Sequence, residues 1–290
     1  PPRCTHRRQR QMCIRDSGLR ARVLTAVLLA PLVMVAVLVL PTGWFGAAMA
    51  LIIGLAAWEW AALAGFDATI ARAAYTSSDL VCLLLLWSAV PRAFDTFLIA
   101  FAALWWLALS VRLFVIRRIE TTTAREPSVL LLGLLVLVAP WLALMQLHAS
   151  SPNGPLVALS LLMLIWLADT AAYFAGRRFG RAKLSVLLSP GKTWAGVYAG
   201  IAADAVWGGL IALLLGLATV KVLLFVTLCV LTAVMSVIGD LFESLLKRRR
   251  LIKDAGSPLP GHGGWLDRID SATAAAPIFA LGRLWLVGGR

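Results

Sequence analysis

The chain has 290 residues, of which 61% are hydrophobic and only 14% charged, with a formal net charge of +13. A soluble domain carries about a quarter charged residues and cannot hide so much apolar surface, so this composition excludes an ordinary water-soluble fold. It also weakens nucleic-acid binding as the meaning of the basic balance, because the positive residues alternate with long apolar runs instead of forming one basic face.

Pro1 to Ser17 is polar and rich in arginine, and it resembles neither a membrane span nor the apolar core of a signal peptide. Residues 1–17 are therefore read as a non-native-looking or disordered N-terminal segment outside the fold. Beyond them, apolar stretches predict nine helices, at residues 23–40, 44–64, 78–90, 97–116, 128–147, 155–175, 194–217, 219–241 and 272–287. The third is short, and the ninth contains Pro277 and Arg283, so either could be a partial crossing. The expectation is an all-α, polytopic membrane protein with about nine transmembrane helices. Residues 18–150 form an N-terminal scaffold of about five helices, and residues 151–290 a C-terminal catalytic region of about four.

Basic residues set the orientation, since loops rich in Lys and Arg stay on the cytoplasmic side. One alternating set of loops holds the N-terminal arginines, Arg72, Arg117, Arg118, Arg125, the group from Arg177 to Lys192, and that from Lys247 to Arg268. The other set holds little beyond Arg92, Lys221 and Arg290. This places the N-terminus and both long polar loops in the cytoplasm. Cys4, Cys13, Cys82 and Cys229 include no closely spaced pair, and Cys82 and Cys229 read as small packing residues.

Three clusters carry chemistry. In the first, Asp169 sits inside an apolar run near its cytoplasmic end, where a carboxylate is costly and needs a cation, a metal or backbone donors. The second, Ser189-Pro-Gly-Lys192-Thr193, precedes the next apolar run; Ser, Lys and Thr beside a helix N-terminus suit phosphate, while plain capping by Ser189 or Thr193 explains part of the same pattern. Gly-Lys-Thr is no Walker A loop, because the required earlier glycine is Val186.

The third cluster runs from Asp240 to Ser271. Asp240, Glu243, Ser244 and Lys247 recur at three- and four-residue spacing, so on a helix they form one polar face able to hold a cation and a phosphate together. The glycines of Pro260-Gly-His262-Gly263-Gly264 let the backbone approach a ligand, and His262 is either a substrate or proton-transfer group or a structural histidine. Asp267 and Asp270 are three apart, and their hard oxygens suit magnesium; Asp270 or Ser271 could instead cap the last helix. The basic run from Lys247 to Arg250 is explained by topology, with lipid headgroups as a secondary attraction.

This third cluster closely resembles the signature of the phosphatidate cytidylyltransferases, the CDP-diacylglycerol synthases. Ser244, Lys247, Arg248, Lys253, Asp254, Pro260, His262, Gly263, Gly264, Asp267, Arg268 and Asp270 all fall on it, and the Asp169 and Ser189–Thr193 segments are similar to the family's as well. The departures are Trp265, in place of an aliphatic residue or Phe, and Ala195, in place of Glu. The resemblance implies transfer of a cytidylyl group from CTP to phosphatidate, with magnesium and a possible second, monovalent cation. It further implies a bacterial inner-membrane enzyme with its active site facing the cytoplasm, and a possible homodimer. Under it, Asp267, Asp270, Lys247, His262 and Asp240 are catalytic. Asp267, Asp270, Asp240 and Asp169 hold metal, and Ser189, Lys192, Thr193, Ser244, Arg248, Lys253, Gly263, Gly264 and Arg268 bind substrate. The rival reading is a membrane transporter or ion-coupled carrier built around the intramembrane Asp169.

Overall fold

The computed structural model describes residues 30–89, 91–116, 118–150, 153–252, 255–256 and 263–288. Within them lie nine helices: α1 (Ala30–Val39), α2 (Thr42–Leu63), α3 (Thr69–Ala89), α4 (Arg92–Val115), α5 (Pro127–His148), α6 (Gly154–Phe179), α7 (Trp194–Leu214), α8 (Thr219–Arg249) and α9 (Leu266–Gly288). Seven of them, α2 to α8, are long and apolar enough to cross a membrane. The protein is a multi-pass membrane protein. The third helix, expected to be short, is 21 residues long, because its polar beginning, Thr69 to Ser77, continues the same helix on a side that apolar counting misses.

The small departure from an all-helical architecture is an antiparallel hairpin, β1 (Lys183–Ser185) and β2 (Ser189–Thr193), between α6 and α7. Thr193 ends the hairpin and caps α7, its hydroxyl accepting the Gly196 N–H at 3.2 Å. The capping alternative for Thr193 is what the chain adopts. Beyond that cap, Gly196 and Gly200 face the α6 backbone at Ala172 and Ala168, an approach that only small residues permit and that lets helix surfaces mesh without a hydrophobic drive in lipid.

Helix α9 packs against α8, α5, α4 and α2, so the two halves of the chain share one core. Phe242 of α8 is seated against Trp60 of α2 and Trp105 and Trp106 of α4, with ring centroids 5.4 to 6.2 Å apart. Such aromatic contacts add to the area they bury and fix the depth of α8.

Hydrogen bonds define the two ends of the bundle. At one end His148 of α5 bonds Thr42 Oγ1 at 3.0 Å and the Val37 carbonyl at 2.8 Å, and its ring stacks on Phe45. At the other end Arg250 donates to the carbonyls of Leu63 and Thr122, and Glu126 pairs with Arg249 and Arg250. The basic run after Lys247, read from the sequence as topology with a secondary attraction to lipid headgroups, is also a clasp. Helix α8 has 31 residues and spans about 46 Å, longer than a hydrocarbon core of about 30 Å, so its last turns project past the apolar zone.

Candidate active site

Those last turns of α8 carry the polar face expected from the spacing. Ser244 Oγ donates to Asp240 Oδ1 at 3.3 Å, and Lys247 lies 3.3 Å from Glu243 one turn earlier. Both contacts join residues four apart on one helix. Two further cation–carboxylate contacts bring in other elements. Lys192 of the hairpin reaches Asp240 at 2.5 Å, and Lys247 reaches Asp267 of α9 at 2.6 Å.

Helix α9 begins at Leu266, four residues before Asp270, so Asp267 and Asp270 share a helical face and Asp270 is not the N-cap. Asp267 also accepts the Gly264 N–H through Oδ2 at 2.5 Å. Burial raises its pKa, but the Lys247 ammonium and the Gly264 amide outweigh it and hold the carboxyl below the usual carboxylate range. Asp270 accepts the Ser271 N–H at 2.6 Å and lies within electrostatic reach of Asp240, Glu243 and Lys192. Asp169 of α6 faces the same Lys192 and Asp240.

The turn before α9 is fixed by a residue from the far side of the sequence. Glu59 of α2, 4% exposed, accepts the Trp265 N–H at 3.0 Å and the Leu266 N–H at 2.8 Å, satisfying amides that open the helix. Gly263 has φ +72°, a left-handed conformation that favours glycine, and any side chain there would strike Asp267. A side chain at Gly264 would strike Glu59. The close approach anticipated for these glycines is made to two protein carboxylates.

Of the residues singled out by sequence, Asp169, Lys192, Asp240, Ser244, Lys247, Asp267 and Asp270 converge at this end of the bundle. Ser189 and Thr193 lie on the hairpin strand that delivers Lys192. Arg248 is turned to the Ile252 carbonyl at 3.3 Å, where it closes the end of α8. Arg268 borders the same region from α9. His262 and Lys253 lie outside the described residues. Glu243, placed by its spacing on the polar face of α8, was given no role of its own, and Glu59 was not singled out; the signal for Glu59 was its charge inside an apolar helix.

The donor set suits magnesium. Among the described residues no three His, Cys, Asp or Glu side chains form a ready-made metal cluster. Magnesium does not require one: it takes one or two carboxylates and completes its shell with water and substrate phosphate. Asp270, Asp240 and Asp169 offer such oxygens beside two ammonium groups.

A polytopic bundle with acidic oxygens and lysines gathered at one end defines a membrane-embedded site for chemistry on phosphates, where charge neutralisation and alignment carry the reaction. The chain belongs to the cytidylyltransferase family, whose model matches residues 20–284. It is 36% identical over 271 residues to the phosphatidate cytidylyltransferase of Pseudomonas aeruginosa, covering 93% of this chain and 98% of that one. With the phosphatidate cytidylyltransferase of Haemophilus influenzae it shares 31% identity over 281 residues, 90% of this chain and 97% of the other. That of Brucella melitensis is 44% identical over 144 residues, 48% of this chain and 51% of its own length.

Proposed function

We propose that the polar end of the bundle is where this chain transfers a cytidylyl group from CTP to phosphatidate, releasing pyrophosphate and forming CDP-diacylglycerol for phospholipid synthesis. A phosphatidate oxygen attacks the α-phosphorus of CTP, and the bond from that phosphorus to the bridging oxygen of pyrophosphate breaks. The observation that carries the reading is the Lys192–Asp240 and Lys247–Asp267 pairing at one end of the helices. These ammonium groups are held by carboxylates now and can turn to a triphosphate when it arrives.

Asp270 and Asp267, with Asp240 and Asp169 in support, would hold magnesium, which would supply a divalent charge to neutralise the phosphates. Lys192 and Lys247 contact phosphate oxygens, and Ser189, Ser244 and Arg268 complete the cradle. Lys253, His262 and Gly263 bind substrate in the same reading. Thr193 acts mainly through the cap that holds β2 against α7. Gly264 acts by ordering Asp267. A second, monovalent cation and assembly as a homodimer are part of the same proposal.

The chain sits in the bacterial inner membrane with its N-terminus and this site in the cytoplasm. Basic residues support that orientation, because the loops after α2, α4 and α8 meet on the site's side of the bundle through Arg250. CTP then reaches the site from the cytoplasm and phosphatidate from the inner leaflet. The described ion pairs all lie at one end of the bundle, which favours a site at the membrane surface over an ion-paired path through it.

The test is product identity. Detergent-purified protein given CTP labelled at the α-phosphate, phosphatidate and magnesium is expected to move label into lipid and release pyrophosphate in equal amount. Label that stays in water-soluble products, or transfer that persists when the metal is chelated, contradicts the proposal.

A further inference from the structure

Neighbouring side chains fix the level at which the β1–β2 hairpin sits. Trp194 follows β2 directly; its ring stacks on Phe114 of α4 with centroids 6.5 Å apart and lies 5.8 Å from that of Tyr198. On α6, Arg177 donates to the Tyr173 hydroxyl at 3.0 Å. Trp194, Tyr198, Tyr173 and Phe114 are all exposed on the bundle's flank. Exposed Trp and Tyr near the ends of membrane helices collect at the headgroup level, where an apolar ring meets a wet edge. Residues 180–182 alone separate α6 from β1, and β2 runs straight into α7, so the hairpin is tied to that level.

The hairpin's apolar side chains divide into two sets. Leu188 is buried in the core and Leu184 packs against it, which seats one side of the hairpin on the bundle. Val186 and Leu187, at the turn, are 72% and 45% exposed. A turn that faces water favours Gly, Asn, Asp or Ser, and two branched aliphatic side chains gain nothing from water there. Arg177, Arg178, Arg181 and Lys183 are exposed beside them, and the sequence from Thr170 to Ala203 holds no Asp or Glu. Topology accounts for the cations, but not for aliphatic residues displayed among them. Aliphatic tips ringed by uncompensated cations match a surface that is apolar below and anionic above, which is the interface of a charged bilayer.

We propose that the hairpin turn is a docking surface for the anionic phospholipid headgroups of the surrounding leaflet. Val186 and Leu187 enter the boundary between headgroups and acyl chains, and Arg181 and Lys183, with Arg177 and Arg178 beside them, hold the phosphates of bulk lipids that are not substrate. The same hairpin carries Lys192 to Asp240, so the lipid surface grips the element that brings this ammonium to the acidic end.

The experiment places a bimane on Leu187→Cys in full-length protein whose four native cysteines are replaced by alanine. The protein is held in nanodiscs of phosphatidylcholine alone or of phosphatidylcholine and phosphatidylglycerol in equal parts. Quenching by a nitroxide on the lipid chain near the headgroup is compared with quenching by acrylamide in the water. In the anionic discs the nitroxide is expected to quench, and its ratio to acrylamide quenching to be about fivefold higher than in phosphatidylcholine, the scale of one Lys or Arg held at an anionic surface. Arg181→Gln with Lys183→Gln should abolish that difference, and so should high salt. Quenching by acrylamide alone in both discs would put the turn in water and overturn the proposal. Quenching by neither would mean that protein, such as a second copy of the chain, covers it, which overturns it equally. Nitroxide quenching that ignores both lipid charge and the double substitution would refute the headgroup contacts. None of these readings needs turnover, so they stand or fall apart from the proposed reaction.

Discussion

The two ends of the bundle use polar groups in opposite ways. At the remote end the buried His148 is held by hydrogen bonds to Thr42 and Val37, contacts that close a helix end and involve no second ionisable group. At the other end Lys192, Lys247, Asp240, Glu243 and Asp267 are gathered into ion pairs drawn from a hairpin and two helices. Charge withdrawn even partly from water is expensive, and replacing a buried ion pair with apolar packing often stabilises a protein. Among the described residues the ion pairs lie at that end only, which marks it as kept for chemistry. A second contrast lies within the charged end: Asp240 and Asp267 face exchangeable lysines, whereas Glu59 and Glu126 grip backbone amides and arginines and hold the frame.

Substitutions across these regions should therefore fall into a graded series. The largest effect is expected at Asp267→Asn, which keeps the shape but removes the charge facing Lys247; CDP-lipid formation should drop by at least about a thousandfold. Lys192→Met should follow, with about a hundredfold loss in kcat/KM for CTP, because the ammonium that leaves Asp240 for phosphate is gone. Glu59→Ala strips the acceptors from the Trp265 and Leu266 amides, at about 1–3 kcal/mol for each amide left unpaired, and should cost about tenfold in kcat with a lower unfolding temperature. Glu59→Gln should recover only part of both, because its side chain offers one acceptor oxygen where the carboxylate presents two. Glu126→Ala should lower thermal stability by about 1 kcal/mol, a modest loss for ion pairs at the rim of the bundle, and change activity by no more than about threefold. His148→Ala, at the remote end, should lower stability while turnover at a permissive temperature stays at the wild-type level. Should Glu126→Ala prove as inactive as Asp267→Asn, the division between frame and chemistry would be lost.

Much of this arrangement was legible before the structure. Periodicity placed Asp240, Glu243, Ser244 and Lys247 on one face because a helix brings residues three and four apart together whatever surrounds it, and the same rule joined Asp267 to Asp270 once α9 was found to begin at Leu266. The apolar runs gave α2 to α8 because lipid demands continuous length. Local rules stop where distant segments meet. No spacing pairs Glu59 with the amides of Trp265 and Leu266, or Glu126 with Arg249, since those contacts depend on how helices far apart in sequence pack. The hairpin was hidden for another reason: its strands are three and five residues long, and Ser-Pro-Gly-Lys-Thr has neither alternation nor strand-forming composition.

The central claim is that cytidylyl transfer takes place at the charged end and depends on Asp267. It is tested most directly by following label from CTP into lipid for wild type, Asp267→Asn and His148→Ala side by side, each verified as folded. The account predicts full transfer by wild type and His148→Ala, and transfer reduced at least about a thousandfold in Asp267→Asn. Equal transfer by wild type and Asp267→Asn would contradict it.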